Sequence, residues 1–426
     1  MAKKSTKGPA GNMVIGQSGG PTVVINQSLV GAVLEAQRHR KTLKRIYGAR
    51  HGVEGVLEQD LIDLTKERES NLEKVAVTPS AALGSVRKKP TEEECRAMFE
   101  VLRAHDVRYF FYIGGNDSAE TANIVHEVAK AGDYDLRVFH IPKTIDNDLI
   151  GTDHCPGFGS AAKFVAQAFM GDDLDNRSLK GIKINVVMGR HAGFLTAAAA
   201  LGRARPDSGP HLIYVPEVAF DEAKFVADVK AVYAKHGRCI VAASEGIADA
   251  EGQAIASKFQ QGVDSHGNVQ LSGTGALGDY LTKVIKDGLE AGVRVRSDTY
   301  GYLQRSFCGV WSEVDAAEAR EVGRRAVRAA LAGETGETGE TSGTSGTSGT
   351  SGTISLVRAK EGPYKIKYKV NPLSVVAKHT TRLPKKFLNE EGNDVTKAFL
   401  EYAAPLVGKL PKVGFLKGGA VARKNG

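Results

Sequence analysis

An α/β fold with mostly parallel sheets is what this sequence predicts, and two observations carry that prediction. Short β-branched and aromatic runs alternate with segments of helical period along most of the chain. Several of those runs end in Gly-rich turns that open the next helix, an arrangement that sets anions beside helix N-termini. At 426 residues there is room for two to three domains. The 42% hydrophobic and 25% charged composition is globular and excludes collagen-like, fibrous and wholly disordered chains.

The first strand is expected over residues 13–15, followed by a Gly-rich turn and a helix over 25–37. A second run, 109–113, ends in Gly114-Gly115 and leads into a helix over 119–131. Residues 137–141, 182–187, 211–215 and 239–243 read as further buried strands, each near a helical segment. Helices are expected over 277–289 and, with strong amphipathic spacing, over 315–331. Residues 333–353 then repeat glycine every third position without proline. That composition cannot bury enough apolar area to offset ordering entropy, so it reads as a flexible surface insertion before a β-like run at 354–357.

Net charge is +8, with +7 in residues 1–45, +5 in 409–426 and −4 between them. A nucleic-acid binder concentrates basic and aromatic residues on a folded face, so charge gathered near the two ends argues against that partner. No apolar run reaches the roughly 18 residues of a membrane helix, which argues against a membrane partner. The N-terminal Lys3-Lys4-Ser5-Thr6-Lys7 has no apolar stretch behind it and does not read as a secretory signal. Cys95, Cys155, Cys239 and Cys308 lie far apart with no CxxC, which points away from zinc and disulfides and toward a reducing cytoplasm.

Four stretches carry candidate chemistry. Gly16 to Thr22 (GQSGGPT) follows the first strand, where glycines let backbone N–H groups approach an anion; a plain tight connection explains them equally. Ile113 to Ser118 (IGGNDS) follows the second. Ser118 suits a helix N-cap, while Asn116 and Asp117 offer oxygens to Mg²⁺. Pro142 to Asp148 (PKTIDND) packs a lysine, a hydroxyl and carboxylates into seven residues. The lysine can neutralise phosphate and a carboxylate can accept a hydroxyl proton, though an Asp-rich turn is the plain alternative. Met188-Gly189-Arg190 and Arg296 with Tyr302-Leu303-Gln304-Arg305 supply guanidinium forks for phosphate, and Glu245 can bond sugar hydroxyls. Gly273 to Gly278 matches GxGxxG with Asp298 twenty residues on, but a polar stretch precedes it where a dinucleotide site needs a strand, so a loop opening the next helix is preferred. There is no GxxxxGK[ST] loop.

Taken in order, SGGPT, GGNDS, PKTIDND, MGRHAG, SEG and GYLQRS resemble the phosphofructokinase family from about residue 13 to 305. The later RLPKKFLNEEGNDVTKAFLEYAAPLVG is similar too. The resemblance implies two Rossmann-like α/β lobes with mostly parallel sheets and the active site in the cleft between them. Residues 12–150, completed by a segment near 265–330, would bind the phosphoryl donor. Residues 151–264, completed by C-terminal residues, would bind the sugar phosphate, with 354–426 packing on the lobes.

By the same resemblance Asp146 is the base that takes the proton from the 1-hydroxyl of fructose 6-phosphate. Thr144, Ile145, Met188, Gly189, Arg190, Glu245, Arg296, Tyr302 and Arg305 would hold that sugar phosphate. Gly19, Gly20, Gly84, Ser85, Arg87 and Gly115 would line the diphosphate site. ATP-using members have glycine where this sequence has Asp117 and Lys143, so the pair is similar to the pyrophosphate-dependent branch. An Asp117 carboxylate adds bulk and like charge on the path of a nucleotide α-phosphate. Lys143 supplies a cation to the compact pyrophosphate as its bridging bond breaks. Asn116 departs from the family's Mg²⁺-associated aspartate, leaving Asp146 or Asp148 to act on the metal through water. The implied protein is a cytoplasmic homodimer or homotetramer. An ATP-dependent enzyme and a catalytically silent sugar-phosphate-binding regulatory subunit are the alternatives.

Overall fold

The computed structural model describes residues 8–259, 275–289, 292–336, 350–377, 379–418 and 421. In chain order its strands are β1 (Gly11–Gln17), β2 (Leu43–Ala49), β3 (Leu61–Asp63), β4 (Val107–Gly114), β5 (Arg137–Pro142) and β6 (Ile182–Val187). They continue with β7 (Leu212–Tyr214), β8 (Cys239–Ser244), β9 (Val295–Thr299), β10 (Ser351–Arg358) and β11 (Ile366–Asn371). Seven form one sheet in the order β11-β10-β5-β4-β1-β2-β3, and four form a second in the order β7-β8-β6-β9. Among the described strands only the edge pairs β10/β11 and β2/β3 are antiparallel.

The central strands β4 and β5 are unbroken β-prone runs, buried almost throughout, as strands covered on both faces must be. Helices Ile25–Gln37 and Glu313–Ala332 cover one face of the first sheet, and Glu92–Ala104 and Asn116–Ala131 cover the other. Helix Ile25–Gln37 is buried from Ile25 through Ala36 because it lies between the sheet and Glu313–Ala332. Parallel registry of β1, β4 and β5 aligns Gln17 with Ile113 and Gly114 with Pro142. The turns that follow these three strands therefore emerge side by side. No helix among the described residues is long and apolar enough to cross a membrane.

Two boundaries differ from expectation. Helix Ala276–Gly288 packs in the core of the second sheet and β9 pairs with β6, so this part of 265–330 does not complete the first lobe, although Glu313–Ala332 packs there. β9 reads VRSDT, a half-exposed edge strand with no apolar run to announce it. Conversely β10 and β11 extend the first sheet, while helix Lys397–Val407 joins a core of the second. The low-complexity stretch also ends earlier than its composition implies. Ser351, Gly352 and Thr353 are β10 residues paired with Val138, Phe139 and His140. Thr353 is buried there because its hydroxyl meets His140 Nδ1 at 2.8 Å. The middle of that stretch, 337–349, lies outside the described residues, as do Gly273 and Thr274 of the GxGxxG match. Gly275, with φ +73°, opens the helix that follows, and Asp298 pairs with Lys183.

Candidate active site

Three turns at the carboxyl ends of β1, β4 and β5 build one cavity of about 260 Å³. The β1 turn is tied to β4 by Ser18 N–H donating to Ile113 O at 2.9 Å. Gly19 takes φ +72°, its N–H donates to Val86 O at 3.0 Å, and Ser85 Oγ donates to its carbonyl at 2.6 Å. Lys143, from the β5 turn, donates to Gly20 O at 2.7 Å. The β4 turn passes at once into helix Asn116–Ala131, three residues earlier than expected, with Gly115 at its N-cap. Ser118 is therefore inside the helix rather than capping it, and its hydroxyl meets that of Ser18. Asp117 lies exposed in the helix's first turn, lining the cavity.

Burial, and then the Arg305 charge, pull the Lys143 pKa down to about 7. Burial pushes Asp146 above its usual range, while Lys143, Arg305, Arg190 and Arg87 pull the other way. Burial and the Asp146 charge push Asp148 up to about 7. The loop that carries them is held locally: Asp146 N–H donates to Thr144 Oγ1 at 3.1 Å, and Thr144 N–H to Pro156 O at 3.2 Å.

From the second sheet, Met188 follows β6 into the cavity wall and its N–H donates to Gln304 Oε1 at 3.2 Å. Gly189 N–H points to Glu245 Oε1 at 3.5 Å, and Ser244 Oγ donates to Gly189 O at 2.6 Å. Arg305 reaches the cavity and leans on the Gly19-Gly20 turn, where a Cβ on Gly20 would stand 2.7 Å from its Nη1. The structure thus brings Gly19, Gly20, Arg87, Gly115, Asn116, Asp117, Lys143, Thr144, Ile145, Asp146, Met188 and Arg305 to one cavity. Arg190 and Glu245 act on it by charge, on Asp146 and Arg305 respectively.

Other expected residues sit elsewhere. Gly84 faces His51, and of the two only Ser85 touches the Gly19-Gly20 turn, buttressing it from behind. Tyr302 is 41% exposed and its ring lies 4.3 Å from the Arg305 guanidinium, supporting it. Arg296 is exposed at the start of β9, paired with Lys183, whereas Met188 follows the far end of β6. That separation is roughly 16 Å along the strand. The cavity also takes Ser18, Lys88, Thr121 and Asp148, of which only Ser18 and Asp148 belong to a recognised motif.

Asn116 has two possible amide orientations. One donates to Asp148 at 3.4 Å; the other donates to His379 O at 2.8 Å and Val376 O at 3.3 Å. The shorter bonds favour the second, in which the oxygen faces Asp148. Asn116 is thereby engaged with protein partners, which speaks against it as a metal ligand. Among the described residues no three His, Cys, Asp or Glu side chains gather to cage a metal. Magnesium commonly keeps its waters and takes one or two carboxylates plus substrate phosphates. Asp117, Asp146 and Asp148 around one anion-sized cavity fit that mode.

The family model described as phosphofructokinase matches residues 12–330. The chain is 53% identical to pyrophosphate--fructose 6-phosphate 1-phosphotransferase of Rhodospirillum rubrum, over 97% of this chain and 98% of that one. It is 40% identical to the protein of that name from Xanthomonas campestris, over 97% and 98%. The crystal structure of pyrophosphate-dependent phosphofructokinase from Marinobacter aquaeolei superposes with a TM-score of 0.80 at 32% identity, covering 96% of this chain and 94% of that one.

Proposed function

The chain belongs to the phosphofructokinase family, and on that premise we propose that it transfers a phosphoryl group reversibly from pyrophosphate to the 1-hydroxyl of fructose 6-phosphate. The observation that carries the choice of donor is the pair Asp117 and Lys143 in one cavity. Asp117 projects a carboxylate from the first turn of its helix, where a nucleotide's α-phosphate would meet like charge. Lys143, bonded to Gly20 O beside the glycine turn, is set to neutralise the compact donor.

Asp146 takes the hydroxyl proton. Burial raises its pKa while Lys143, Arg305, Arg190 and Arg87 pull the other way, and the net rise makes it a better proton acceptor than an exposed carboxylate. Thr144, Met188, Gly189, Arg190, Glu245 and Arg305 hold the sugar phosphate, while the Gly19-Gly20 turn, Gly115 and the Arg87 guanidinium line the diphosphate site. Magnesium, when bound through Asp117, Asp146 or Asp148, would screen charge on the pyrophosphate oxygens. Arg296, at the far end of β9 from the cavity, would reach a sugar phosphate only in a neighbouring copy, as a homodimer or homotetramer would allow. A cytoplasmic setting suits these substrates.

The test is a coupled assay with pyrophosphate and ATP at matched Mg²⁺. Wild-type protein should turn over fructose 6-phosphate with pyrophosphate, in both directions, and give little rate with ATP. The double variant Asp117→Gly/Lys143→Gly should lose pyrophosphate activity; the two effects should not add, since both residues address the same phosphates. Preference for ATP would refute the donor assignment, and no turnover with either would point to a silent binding subunit.

A further inference from the structure

Asn147 sits between the two carboxylates of the catalytic loop, buried, in the left-handed conformation with φ +60°. A residue other than glycine keeps that conformation when its surroundings hold it. Here Asn147 Oδ1 accepts from Cys155 N at 2.8 Å, and Nδ2 donates to the Tyr402 hydroxyl at 2.8 Å, 255 residues along the chain. That hydroxyl in turn donates to Asp153 O at 2.9 Å. Arg358 of β10 braces both ends of the link, donating to Tyr402 O at 2.8 Å and to the Asp153 carboxylate at 3.0 Å. Behind Asp153 lies His154, only 2% exposed, bridging the Asp153 carboxylate at 2.8 Å and Glu318 at 2.7 Å.

We propose that Tyr402 is a positioning residue of the active site, setting through Asn147 the turn that aims Asp146 and Asp148 into the cavity. The helix Lys397–Val407 thereby reaches the chemistry without touching substrate. The brace continues behind His154, where the Tyr364 hydroxyl donates to the second Glu318 oxygen at 2.6 Å. Burial opposes charge on that imidazole, but Asp153 and Glu318 outweigh it and hold the His154 pKa above its usual value. This inference rests on Asp146 being the base.

Tyr402→Phe removes one hydroxyl and keeps the ring stacked on Phe387 at 5.2 Å. Because small misplacements of a reacting group cost up to about 100-fold, kcat should fall about 10- to 100-fold with both KM values and Tm nearly unchanged. Asn147→Gly tolerates the positive φ but loses the Cys155 bond together with the Tyr402 one, so its kcat should fall at least as far as that of Tyr402→Phe, again with KM unchanged. The double variant should lose no more kcat than the worse single one. Phe399→Leu, in the same aromatic cluster, should lower Tm and leave kcat per folded enzyme unchanged. Wild-type kcat in Tyr402→Phe, or losses that multiply in the double variant, would overturn the proposal; if Tyr402→Phe does not fold, Asn147→Gly decides it alone. Asp146→Asn, run alongside, should lose about 10²–10⁴-fold in kcat. Its full activity would sink the base assignment and with it the stated role of Tyr402, while a dead Asp146→Asn beside an active Tyr402→Phe would sink the positioning role alone.

Discussion

Lys143 holds its charge conditionally. Stripped of water and close to Arg305, its ammonium titrates at about 7, so the empty site loses the cation as pH rises through neutrality. Pyrophosphate favours the protonated form and must raise that pKa. Below about pH 7 the amine is already charged and binding takes up no proton there; above it, binding should take up a proton and pyrophosphate affinity should fall as pH increases. Calorimetry in two buffers of different ionisation enthalpy, between pH 7 and 9, reads this uptake directly. Uptake that persists unchanged in Lys143→Met would show the proton goes elsewhere. That Lys143 lies beside carboxylates was legible from PKTIDND, which carries a lysine, a hydroxyl and carboxylates in seven positions, and the structure sets it in the cavity wall. The partners of Asn116 were not legible: the carbonyls of Val376 and His379 lie more than 250 residues away and carry no side-chain signal.

At the scale of elements, strand, Gly-rich turn and helix recur wherever the site is built, and β-branched and aromatic runs announced β1, β4, β5, β6 and β8. What periodicity could not announce was how closely two helices approach. A Cβ on Gly31 would overlap the Arg320 carbonyl, and one on Gly323 would overlap that of Ser28, so helices Ile25–Gln37 and Glu313–Ala332 touch main chain to main chain. Gly323→Ala should force them apart at a cost of about 1–3 kcal/mol despite alanine's better helix propensity. Denaturant melts should register the loss, with kinetics of the folded fraction unaltered. A neutral or stabilising change would mean the helices separate easily. Arg320 adds to this contact by donating to Glu73 at 2.8 Å and to Gln27 at 2.7 Å.

Across the whole molecule the two sheets meet at the cavity, with Lys143, Thr144 and Asp146 from one side and Met188 and Arg305 from the other. Arg296 is exposed at the end of the second sheet away from the cavity. If it completes a neighbour's site, Arg296→Ala and Asp146→Asn should each be impaired alone and partly restored when mixed under conditions that exchange subunits. In a mixed pair one site combines an intact Asp146 with an intact Arg296. Absence of recovery despite demonstrated exchange would exclude Arg296 from the site. The net charge of +8 enters little here, since its excess lies near the chain ends.

The sequence by itself announced the α/β class and the three turns that line the cavity, because each depends on residues close together in the chain. Glycines permit a turn whatever lies far away, whereas Asp117 and Lys143 stand out only through the family resemblance. Only the tertiary structure decided that β9 joins the second sheet and β10 the first, that Asn116 is clasped by 376–379, and that Tyr402 stands behind the catalytic loop. Those depend on which distant segments come to share a core, and a hydroxyl on an aromatic side chain reads as ordinary packing until its partner is beside it.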